Sequence, residues 1–109
     1  MTQEEQKAFF NNFVNTMREV MIFKGMDYSN QDKLSNFKLA GDICGIGAEL
    51  NCLSLIATKV ARLGVLLNAK NAPNNESIQD SILDLANYTL LLAMILKDNE
   101  IETIDLIKQ

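Results

Sequence analysis

Histidine and tryptophan are absent from this chain, and proline occurs once, at Pro73. Without an imidazole, a Ser-His-Asp or Cys-His arrangement cannot activate a nucleophile, and the usual nitrogen ligands of zinc are missing. The two cysteines, Cys44 and Cys52, cannot make a zinc site alone and suit a cytosolic chain with free, buried thiols. Glycine is sparse. Gly45 and Gly47 lack the further glycines and the Lys-Ser/Thr ending of a phosphate-binding loop. Aromatic residues make up 6% of the chain against 48% hydrophobic residues overall, so a core must be built from aliphatic and Met side chains, as in helix-on-helix packing. No unbroken apolar run reaches the roughly 18 residues of a membrane span, and the acidic, polar start from Thr2 to Lys7 has no signal-peptide pattern. A net charge of −4 disfavours nucleic-acid polymers, although local basic clusters can still bind small phosphorylated ligands. These bounds describe one soluble, cytoplasmic domain over residues 1–109, with a single core of little margin.

The most organised stretch is Ser77 to Leu96. Ser77 is placed to cap a helix, with Asp80 adding negative charge to its first turn. Asp80, Asp84 and Asn87 follow at i, i+4 and i+7, which stacks them on one face. From Tyr88 to Leu96 the helix is apolar almost all round, as in a helix surrounded by protein. Carboxylates on a buried helix need a cation opposite, either a metal or a basic side chain. Two acids at this spacing can share a Mg²⁺, which prefers oxygen ligands, so Asp80 and Asp84 are the candidate metal ligands.

Earlier in the chain, Thr2 with Glu4 and Glu5 starts a helix running to about residue 24, with Phe9, Phe10, Phe13, Val14, Met17, Val20 and Met21 as its apolar stripe. The period breaks from Gly25 to Ser35. Around that break Lys24, Asp27, Tyr28, Asn30, Asn36 and Lys38 offer donors and acceptors suited to a base, ribose or phosphate, or else to the Asx-turns of a solvated loop. Residues 36–44 read as a short helix closed by Gly45 or Gly47. A long helix follows from Ala48 to about Asn68, with Leu50, Leu53, Ala57, Val60, Ala61, Gly64 and Leu67 as its expected inner stripe. Lys59 and Arg62 are the only charges between Leu53 and Leu67, and Glu49 lies further back on the same helix. The two cations either snorkel to solvent, pair with Asp80 and Asp84, or meet a ligand phosphate. The loop at residues 71–75 makes the helices on either side of it antiparallel neighbours. Lys97 and Asp98 read as the end of the central helix, with a short amphipathic tail from Glu100 to Gln109.

Three blocks, Lys24-Gly-Met-Asp27-Tyr28, Lys59-Val-Ala-Arg62 and Asp80-Ser-Ile-Leu-Asp84-Leu-Ala-Asn87-Tyr88, resemble the phage and bacterial nucleotide-modification-associated domain. More distantly the chain is similar to the MazG-like all-α nucleotide pyrophosphohydrolases. The resemblance covers about residues 20–96, and the Asp-Leu-Ala-Asn-Tyr block is its most specific part. It implies an all-α, MazG-like bundle of four to five helices, assembled as a homo-oligomer. It also implies a nucleotide pocket between the 24–38 loop and the two central helices. MazG-like enzymes hold Mg²⁺ with two acidic pairs and release pyrophosphate from a nucleoside triphosphate. Here Lys59 and Arg62 stand about where the first acidic pair belongs, and of the second pair only Asp84 matches well.

Lys and Arg neutralise phosphate directly, but they do not lower the pKa of a water as a metal does. Two functions follow. One is a binding module that sequesters a phosphorylated nucleotide, including a cyclic immune-signalling nucleotide, through Lys24, Asp27, Tyr28, Asn36, Lys38, Lys59, Arg62, Asp84 and Asn87. The alternative is a Mg²⁺-dependent pyrophosphohydrolase using Glu49, Asp80 and Asp84. No membrane or nucleic-acid polymer enters either reading.

Overall fold

The computed structural model describes residues 1–27, 34–69 and 75–108, with side chains described for 1–22, 34–69 and 77–100. The described residues form four α-helices and no strand: α1 (Gln3–Asp27), α2 (Ser35–Cys44), α3 (Ala48–Leu67) and α4 (Asn75–Lys108). The chain divides into two units, 1–33 and 34–109.

In the first unit, α1 begins with a capping box. Thr2 Oγ1 accepts from the Glu5 amide at 3.1 Å, and the Glu5 carboxylate accepts from the Thr2 amide at 3.2 Å, which satisfies two otherwise orphaned donors. Phe9 and Phe13, one turn apart, stack with centroids 6.1 Å apart. The helix runs on to Asp27, three residues beyond the point where the apolar period fades.

In the second unit, α2 ends at Gly45 in the left-handed conformation (φ 72°). Gly45 N–H donates to Asp42 O and Ile46 N–H to Gly41 O, the paired bonds of a Schellman motif. Gly45 is therefore the cap, and Gly47 instead starts α3. The turn folds back so tightly that a Cβ on buried Gly41 would lie 2.6 Å from Ile46 O, which explains a glycine inside a helix.

Helix α3 packs against both α2 and α4. Its contacts with α4 run in opposite senses along the two helices. Glu49 meets Asn99 (3.4 Å), and Lys59 meets Asp84 (3.1 Å), so the pair is antiparallel as the short connection requires. The core of the unit is Leu34, Ala48, Cys52 and Ile95, flanked by Phe37, Ile56, Tyr88, Leu91 and Leu92.

Three features differ from the sequence expectations. Helix α4 begins at Asn75, which puts Ser77 in its first turn rather than at the cap, and it passes Lys97 and Asp98 without a break to Lys108. No glycine or proline occurs after Pro73, so nothing in the backbone chemistry stops it there. Second, the apolar segment from Tyr88 to Leu96 is covered on one side only. Ile95 is fully buried, whereas Leu90, Met94 and Leu96 are exposed.

The third difference is the orientation of α3. Ala48, Cys52, Ile56, Lys59, Leu63 and Leu66 form its covered side, while Leu50, Leu53, Ala57, Val60, Ala61, Gly64 and Leu67 all lie exposed. Because α3 is apolar nearly all round, its period alone could not choose the inward side. The ion pair to Asp84 lets Lys59 take an inward position that a lone cation could not hold. By length and composition α3 is also apolar enough to cross a membrane, with a mean hydropathy of 1.6. Lys59 and Arg62 interrupt it, which is why a count of unbroken apolar residues misses it.

Candidate functional site

The face of α4 that carries Asp80, Asp84 and Asn87 descends in steps from solvent into protein. Asp80 is exposed, Asp84 is half-buried, and Asn87 is only 4% exposed. Across from it on α3, Lys59 Nζ lies 3.1 Å from Asp84 Oδ2, with both side chains about three-quarters covered. One turn further, Arg62 is exposed and makes no ion pair with any described residue. The sequence expectation that cations of one helix meet the acids of the next therefore holds for one pair, Lys59 with Asp84. Arg62 and Asp80 stay at the rim.

Asn87 is the unusual member. Among the described residues neither its Nδ2 nor its Oδ1 has a hydrogen-bond partner. A buried donor or acceptor left unmade costs about 1–3 kcal/mol, and buried side-chain polar atoms in folded proteins rarely go unpaired. Among the described residues this amide is thus orphaned in both its donor and its acceptor, one turn from a half-buried ion pair.

The remaining candidates are not gathered here. Lys38 Nζ lies 2.8 Å from Asp98 Oδ2, too obliquely for a hydrogen bond, in an ion pair linking α2 to α4. Asp98 lies fourteen residues beyond Asp84 on an unbroken helix, which at 1.5 Å per residue is about 20 Å away. Asn36 is exposed on α2. Lys24 and Asp27 belong to the end of α1, where side chains lie outside the described residues, and Tyr28 lies outside them altogether. The sequence reading missed Asp98 and Asn99 as cross-chain partners. Their signal was the spacing of Asp84, Leu91, Ile95 and Asp98, which puts the late acid on the same inward side of α4.

Among the described residues no three Asp, Glu or Cys side chains converge as a metal site would need. Glu49 turns to Asn99, and the charge of Asp84 is compensated by Lys59.

Behind the site, the Cys52 thiol donates to the Tyr88 carbonyl oxygen at 3.3 Å. Burial raises its pKa above the ordinary 9.0, because the thiolate would lose its hydration. A folded-state pKa raised above the unfolded one gives stability that is intact below pH 9.0 and is lost as pH climbs toward the folded value. Two results are expected. Ellman's reagent titrates exposed Cys44 at once and Cys52 only on unfolding, and the denaturant midpoint falls above pH 9.0 by less in Cys52→Ala than in the natural chain.

No protein-family model, curated protein or solved structure matches the chain.

Proposed function

We propose that this protein is a nucleotide-binding module that holds a phosphorylated nucleotide intact against the α3–α4 face, working in the cytoplasm where such ligands are found. The observation that carries this reading is Asn87, buried and unpaired at both amide atoms beside the Lys59–Asp84 pair. A base edge presents the donor and acceptor that an orphaned amide lacks. Arg62, exposed at the rim, suits phosphate as a bidentate fork. Binding without turnover is favoured over metal-assisted hydrolysis because the carboxylate best placed to hold Mg²⁺, Asp84, already faces a cation.

The test is titration of the protein with nucleoside triphosphates and cyclic dinucleotides, with and without Mg²⁺. The cyclic probes are included because sequestration of an immune-signalling nucleotide is the use that the phage-type resemblance suggests. A ligand should bind without metal and be recovered intact after denaturation. Arg62→Ala, which removes only an exposed side chain, should weaken binding by about 1.5–3 kcal/mol, roughly tenfold to a hundredfold. Mg²⁺-dependent release of pyrophosphate would make the protein an enzyme instead. An unchanged dissociation constant in Arg62→Ala would remove the phosphate from this rim.

A further inference from the structure

Lys59 stands close to the rim that Arg62 offers to a phosphate, yet its charge is already taken. Its Nζ lies 3.1 Å from Asp84 Oδ2, with the two side chains 23% and 27% exposed. A carboxylate that close cancels most of the field an anion would seek, so the closed pair offers a ligand little. Arg62 follows three residues on along α3 and is exposed. Residues at that spacing are neighbours on a helix surface, about 5–6 Å apart at Cβ. A phosphate held in the Arg62 fork would sit within the sweep of Lys59, whose ammonium rides on a flexible stem.

We propose, resting on the nucleotide reading of the α3–α4 face, that Asp84 is an autoinhibitory residue: the protein's own carboxylate occupies Lys59 until a phosphate displaces it. Three properties of the pair fit a contact made to open. The first is its depth. About a quarter of each side chain is in solvent, so the carboxylate that is released regains water instead of being stranded as a buried charge. The second is that the helices need not move. Glu49 with Asn99, the Cys52 thiol with the Tyr88 carbonyl and the core around Ile95 still join α3 to α4 when the ion pair parts. The third is the exchange itself. A phosphate carries more charge than a carboxylate and can accept from Lys59 and Arg62 together, so the trade favours the ligand. Until then Asp84 spares Lys59 the cost of a lone, half-buried cation. Stability and affinity are therefore opposed at position 84.

Asp84→Asn keeps the size of the side chain and removes its charge. Inorganic triphosphate, titrated calorimetrically into the full chain in metal-free buffer, should bind this variant about tenfold tighter than the natural chain, the lower end of what a charge-assisted contact contributes. The same variant without ligand should melt at a lower temperature, whereas a residue that simply held the ligand would lose affinity when changed. Adding Lys59→Met to Asp84→Asn should cancel the gain, because the released cation is its source. Asp98→Asn removes an equal charge from an ion pair about 20 Å further along α4 and should leave affinity within about twofold, which controls for net charge. In the natural chain the carboxyl carbon resonance of Asp84 should shift as triphosphate is added. Equal or weaker binding by Asp84→Asn, a gain that survives Lys59→Met, or an Asp84 resonance unmoved at saturation would overturn the proposal. The nucleotide reading would outlast any of these as long as Arg62→Ala still weakens the natural chain. Triphosphate that binds neither the natural chain nor Asp84→Asn would remove both.

Discussion

Asn87→Leu should unfold at a higher temperature than the natural protein while losing the nucleotide affinity proposed above. Both polar atoms of the Asn87 side chain are buried without partners among the described residues, so the folded state carries their desolvation without the hydrogen bonds that would offset it. Leucine has nearly the same shape and nothing to desolvate. Replacing an unpaired buried polar group with an apolar one of similar volume should stabilise by about 1–3 kcal/mol, or on the order of 4–8 °C per kcal/mol in a domain of this size. Leucine also cannot answer a base edge, so affinity should fall at least tenfold. Leucine is a sharper probe than alanine, because alanine would leave a cavity whose cost masks the gain. The readout is a pair of melting curves without ligand and a pair of binding isotherms. A lower melting temperature in Asn87→Leu would mean that the amide is satisfied in solution, and the case for a ligand there would lose its main support.

The second large effect lies at the other end of the contact. Ile95→Ala should destabilise the protein by about 2–5 kcal/mol, the range for truncating a fully buried aliphatic side chain. Ile95 has no exposed surface and packs with Leu34, Ala48 and Cys52, which make up the buried apolar core among the described residues. Against a total stability of roughly 5–15 kcal/mol for a typical domain, that loss brings the chain close to unfolding. Leu96→Ala, one residue on but 54% exposed, is the control and should change stability by no more than about 0.5 kcal/mol. Urea titration distinguishes the two. Equal losses at positions 95 and 96 would mean that α4 is rotated from the orientation described.

The helices were readable from the sequence because their apolar residues recur at helical spacing and because Thr2, Glu5 and Gly45 supply strong end signals. The Lys59–Asp84 meeting was also readable, since a short connection makes neighbours of the two helices and charges inside apolar stretches seek each other. The inward side of α3 was not. Its outer strip is as apolar as its covered side, so only the identity of the partner helix decides. The run of α4 past Lys97 was hidden for another reason. A charged pair after an apolar segment resembles a helix end, yet Asp98 and Asn99 are inward residues, tied to Lys38 and Glu49. Those partners lie sixty and fifty residues away, beyond the reach of any local pattern.

Three of the polar contacts between α3 and α4 also key the two rods lengthwise. Glu49 to Asn99, the Cys52 thiol to the Tyr88 carbonyl, and Lys59 to Asp84 grip at separate points, while the hydrocarbon between them would tolerate sliding. A slip of one turn, about 5.4 Å, would part all three at once. The level of Lys59 against Asn87 is therefore also fixed by contacts at the far end of the pair, and a change at Glu49 or Asn99 would loosen that alignment.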